Sequence, residues 1–109
     1  MIVQRVEVYG EGRELEGWGP FDSPDEYRTL SHHERGRLQA WIKENIGPRT
    51  TPNPRTSYGL KHAFAKSERG FYTTNGQFKG AMLAAGYRPV DAHALNWTFR
   101  ISTKRVPYA

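Results

Sequence analysis

Four histidines, His32, His33, His62 and His93, are the side chains with the widest chemical range in this sequence of 109 residues, which contains no cysteine. Their spacing matches no metal-binding pattern, and no thiolate is present to complete one. His33 stands beside Glu34, an arrangement that could serve acid–base chemistry. Glu34 is also the third residue after Ser31, where it would close a helix cap, and the capping role takes precedence. Gly10-Glu11-Gly12 lacks the strand-to-helix context and the following Lys-Ser/Thr of a phosphate-binding loop. No catalytic centre converges from these residues, so the sequence reads as a non-enzyme with no metal and no cofactor. The absence of cysteine excludes disulfides and cysteine nucleophiles and fits a cytoplasmic protein.

Charge offers a clearer chemistry. The formal net charge is +5, and it is unevenly spread. Residues 1–46 hold six Lys/Arg against nine Asp/Glu, a balance of −3, whereas residues 47–109 hold ten against two, a balance of +8. A basic stretch of this kind attracts a polyanion, nucleic acid foremost. Aromatic residues are interleaved with it. Tyr58 and Tyr72 read as surface rings able to stack on bases, while Phe71 and Tyr87 read as core.

These side chains must be positioned by a small number of elements. The length suits one domain, comprising an acidic strand-and-loop segment at 1–30 and a helical core with a C-terminal strand at 31–109. No apolar run is long enough to span a bilayer, and the first residues lack the apolar stretch of a signal peptide. Alternation over residues 2–9 predicts a strand. Residues 10–30, rich in Gly, Pro and carboxylates, predict a loop anchored by Trp18 and Phe21. Ser31 and Glu34 form a capping box that starts a first helix, with Leu38, Trp41, Ile42 and Ile46 on its inner face and Gly47 as its C-terminal cap. The prolines at 48, 52 and 54 predict an extended connector over 48–56.

A second helix is expected from Thr56 or Ser57 to about Ser67, with Leu60, Ala63 and Phe64 inward. Thr74 and Gln77 form another capping box, and the third helix that follows carries Phe78, Ala81, Met82 and Ala85 on its apolar stripe. Gly86 is its expected left-handed cap, and Pro89 blocks continuation. Trp97, Phe99 and Ile101 then alternate with Thr98, Arg100 and Ser102, a strand with one buried face.

This order gives an α+β fold: a three-helix, helix-turn-helix core with a small antiparallel sheet, winged-helix-like in outline. The terminal strand would be the wing, paired with the N-terminal strand. In such domains the third helix enters the major groove. Asn75, Gln77 and Lys79 would then face base edges, with Asn75 and Lys79 exposed one turn apart. Arg49, Arg55, Lys61, Lys66, Arg88, Arg100, Lys104 and Arg105 would serve the phosphate backbone. Gly76 and Gly80 thin the outer face of this helix, and at Gly80 this suits close approach of a partner or of another helix, or tight helix packing within the domain.

The stretches Thr56–Phe64, Gly70–Tyr87 and Asn96–Ile101 resemble small proteins of bacteriophages and other mobile elements, a family of poorly defined function. In outline the chain is also similar to winged-helix domains of phage-type replication proteins. The resemblance covers about half the chain, leaves out residues 1–46 and carries no catalytic residue across. It implies a mobile-element setting in a bacterial host. The expected function is nucleic-acid binding, with duplex DNA favoured. The alternative is an anti-CRISPR-like inhibitor that docks on a host nucleic-acid-handling protein such as a defence nuclease. The acidic N-terminal segment favours that alternative slightly. The sequence leaves oligomeric state open.

Overall fold

The computed structural model describes residues 17–107. The expected strand at 2–9 lies outside them. The described chain is α+β. A 3-10 helix, Pro24–Thr29, is followed by α1 (His32–Asn45), β1 (Gly47–Asn53), α2 (Ser57–Ala65), α3 (Asn75–Ala84) and β2 (Phe99–Ser102).

The helix starts follow from local chemistry. The Ser31 hydroxyl accepts from the Glu34 amide, and the Glu34 carboxylate accepts from the Ser31 amide. Thr74 and Gln77 make the same reciprocal pair at α3. Such a box satisfies two donors that a helix otherwise leaves orphaned. The Thr56 hydroxyl caps α2 by accepting from the Gly59 amide. At the far end of α3, Gly86 adopts φ +98. The Tyr87 amide then reaches the Met82 carbonyl and the Gly86 amide reaches Leu83, the paired bonds of a Schellman ending. Gly47 behaves differently from expectation. It does not cap α1 in a left-handed conformation; Ile46 ends the helix with extended backbone and Gly47 opens β1.

The proline-rich connector is the partner of the terminal strand. β1 and β2 run antiparallel, pairing Gly47 with Ser102, Pro48 with Ile101 and Asn53 with Phe99, with a register irregularity between Pro48 and Asn53. Proline donates no ladder hydrogen bond, so such a strand is tolerated only where part of its edge needs no partner. The Asn53 side chain completes the pairing, donating to the Ile101 carbonyl and to Thr103 Oγ1 while accepting from the Arg55 amide.

The core lies between the helices and β2. Leu38, Trp41, Ile42, Leu60, Phe64, Phe78, Met82, Trp97, Phe99 and Ile101 are buried in one cluster. Trp41 meets Phe64 and Phe78 edge-on, and Trp97 meets Phe99 likewise. The expected inner faces are buried, Ala63 and Ala85 only partly, and α3 buries further residues outside its expected stripe. Phe71 and Tyr87 pack partly buried against the cluster, and Tyr58 and Tyr72 are exposed. Of the two rings expected to anchor the acidic loop, Trp18 is buried but Phe21 is exposed.

Candidate nucleic-acid interface

The expected reading helix is covered. The 3-10 segment Pro24–Thr29 packs along α3, and the two glycines of the helix mark the seam. A Cβ on Gly76 would run into the Ser23 and Phe21 carbonyls, and one on Gly80 into the Pro24 carbonyl and the Tyr27 side chain. The close approach is therefore made by a segment of the same domain. It also leaves α3 with neighbours on two sides, the core on one and residues 18–30 on the other.

Asn75 and Lys79 consequently do not form an exposed pair. Asn75 is buried at the first turn of α3, where it joins four parts of the chain. Its Oδ1 accepts from the Ser57 hydroxyl at 2.8 Å, and its Nδ2 donates to the Asp22 carboxylate, the Leu95 carbonyl and the Asn96 side chain. Ser57 in turn accepts from the Trp97 amide. A buried amide with its hydrogen-bonding capacity used in this way holds structure together and has nothing left for a base edge.

Lys79 is wholly buried. Its ammonium donates to the Asp22 carbonyl at 2.9 Å. It also sits 3.5 Å from the centroid of the Trp18 ring and 4.9 Å from that of Trp97. Burial pulls its pKa down from 10.5 to about 7, with the Asp22 carboxylate acting in the opposite direction. Gln77 is occupied too: its Oε1 closes the cap at Thr74 and its Nε2 donates to Thr29. None of the three residues expected to read bases is therefore presented to a major groove.

The expected backbone-contacting cations divide into two groups. Arg55 and Lys61 are taken up by the fold. Arg55 donates to the Val106 and Pro107 carbonyls, fixing the end of the described chain against the start of α2. Lys61 is buried, with its ammonium 4.7 Å from the Tyr72 ring centroid and 5.2 Å from that of Tyr58. Burial holds it below the usual lysine range. Arg49, Lys66, Arg88, Arg100, Lys104 and Arg105 are exposed.

Four of these exposed cations belong to the sheet and the turn after it. Arg49 is on β1 and Arg100 on β2, and Lys104 and Arg105 follow β2. Lys104 stands between two shallow grooves: Lys43 and Arg105 line the first with it, and Arg49 the second. Arg49 is preorganised on its own strand, its guanidinium donating to the Thr51 and Pro52 carbonyls. Carboxylates are scarce here. Glu44 borders the first groove but is paired with Arg69 at 2.8 Å. Residues 47–107 contain only Glu68 and Asp91 as acids, and neither lines these two grooves.

A second exposed feature lies on α2. Tyr58 and His62 are one turn apart with ring centroids 4.6 Å apart in an edge-on arrangement. Desolvation, then the neighbouring charges of Lys61 and Lys66, holds His62 below its ordinary pKa. The tyrosines are exposed as the sequence predicts, but the histidine pattern alone gives no reason to pair His62 with Tyr58. The signal was available in the four-residue spacing of Tyr58, His62 and Lys66 along one helix face. Comparison with protein-family models, with curated proteins and with solved structures gave no significant match for this chain.

Proposed function

We propose that this chain binds nucleic acid through the basic face of its two-stranded sheet, gripping the phosphate backbone and not reading bases from a helix. The observation that carries the reading is the gathering of Arg49, Arg100, Lys104 and Arg105 on β1, β2 and the following turn, with no acid among the sheet residues. A cluster of one sign, presented on paired strands, raises the local potential and draws in a polyanion. The covered α3 narrows the mode of contact. Phosphate contacts supply affinity and orientation but carry no sequence information, so binding is expected to be largely indifferent to sequence. The sequence resemblance to phage and mobile-element proteins supports a setting in which such a backbone binder acts on host or phage strands.

The test is fluorescence anisotropy with labelled DNA at low salt, comparing the unmodified protein with a variant carrying R100Q, K104Q and R105Q. All three side chains are exposed, so the variant is expected to melt like the parent. The reading expects binding in the micromolar range that weakens at least tenfold in the variant. No binding of either protein to any strand would sink it and leave a protein partner as the target.

A further inference from the structure

We propose that Tyr58 and Tyr72, set out from the surface above the buried Lys61 side chain, form a stacking platform for the unpaired bases of a single strand. This deepens the nucleic-acid reading above and rests on it.

Three observations converge on this ridge. First, it is exposed: Tyr72 is 72% and Tyr58 51% accessible, whereas six of the ten other aromatic rings among the described residues are buried. Second, the two rings come from different elements, the first turn of α2 and the link between α2 and α3, yet both face one ammonium. Lys61 is 5% exposed while both rings are more than half accessible, so the ammonium is the buried member of the group. A cation against the inner face of a ring draws on that face's negative quadrupole and leaves the outer face free. The accessible part of each ring, smaller at Tyr58 where His62 also packs edge-on, is then suited to an electron-rich base. Third, the ridge is flanked by positive charge. The exposed Lys66 lies two turns along the helix from Tyr58, with His62 between them as a further ring, and no carboxylate occurs from residue 47 until Glu68.

Interleaving of exposed rings with cations is the arrangement that binds single strands. Bases stack on the rings while the cations track the phosphates, and tolerance of sequence follows because every base has a π face. Paired bases in a duplex keep their faces occupied by one another and gain nothing from such a ridge. An apolar protein-docking patch would need aliphatic neighbours around the rings, whereas a lysine, Lys61, contacts both and a histidine, His62, contacts Tyr58.

The experiment compares three probes of equal length at low salt: a mixed-sequence DNA single strand, the same strand with abasic sites in place of its bases, and a duplex. Tyr58→Ala and Tyr72→Ala are made singly and together, and their melting is checked against the parent. The unmodified protein should bind the intact strand about 5- to 100-fold more tightly than the abasic one. The double variant should lose that preference while its affinity for the duplex and the abasic strand stays within twofold. Equal affinity of the unmodified protein for intact and abasic strands would overturn the platform while leaving backbone binding intact. A preference that survives in the double variant would also overturn it, since other residues would then be stacking. Failure to bind any of the three probes would remove the nucleic-acid reading itself.

Discussion

Replacing Lys79 with methionine should stabilise the protein in mild acid and lose that advantage in base. In the folded chain the ammonium is fully buried and its pKa is pulled from 10.5 to about 7 by that burial. The unfolded chain therefore holds this proton more tightly than the folded one. Below pH 7 both states are charged, and folding carries the whole cost of burying the charge. Between pH 7 and 10.5 the unfolded state keeps the proton and the folded state releases it, so stability rises with pH. Above 10.5 both are neutral and the cost has vanished.

At about 1.36 kcal/mol per pH unit the gap gives a ceiling of about 5 kcal/mol, which the attraction of the ammonium to the Trp18 and Trp97 rings reduces to about 2–4 kcal/mol. Lys79→Met removes this cost and keeps the length and volume of the side chain. It also leaves the Asp22 carbonyl without its 2.9 Å donor, a loss of about 1 kcal/mol. The variant should thus be more stable than the parent by about 1–3 kcal/mol at pH 6, and slightly less stable near pH 10. Urea unfolding of both proteins at pH 6, 8 and 10 measures the difference, and subtraction cancels the other titrating groups. A difference that stays constant across this range would refute the reasoning, because the burial of a charge would then not be its source.

Asn75→Ala should cost about 2–4 kcal/mol in urea unfolding, because it strands the Ser57 hydroxyl and the Asp22 carboxylate and cuts the links to Leu95 and Asn96. Gly80→Ala should destabilise by more than about 2 kcal/mol, although alanine is the better helix former. Its Cβ would meet the Pro24 carbonyl and Tyr27, and amide exchange should speed up in residues 22–30 before the rest of the domain opens.

The helices and the core were legible in the sequence where short-range chemistry governs. The boxes Ser31/Glu34 and Thr74/Gln77 placed two helix starts to the residue, because a cap depends only on side chains three positions apart. The alternation of Phe99 and Ile101 placed the terminal strand. β1 was missed because Pro48, Pro52 and Pro54 spoil every local strand signal, and only pairing with β2 makes that stretch a strand. The largest misreading, Asn75 and Lys79 as an exposed pair, has a related cause. Helical spacing identifies one apolar side and assigns the rest to solvent, but here the far side meets a polar, acidic segment with no hydrophobic stripe of its own. Gly76 and Gly80, one turn apart, were the available sign of that second neighbour. Lys79 is buried beside Trp18, 61 positions earlier, a long-range contact that no periodicity reveals.

The most direct test of the basic sheet face as a nucleic-acid grip is the salt dependence of single-strand binding. Each phosphate neutralised releases about 0.7 of a counterion from a single strand. Engagement of Arg49, Arg100, Lys104 and Arg105 predicts that the logarithm of the affinity falls with the logarithm of salt at a slope of about 3. The variant carrying R100Q, K104Q and R105Q should retain a slope of about 1 or less. An affinity that does not respond to salt, or a slope unchanged in the variant, would contradict the account.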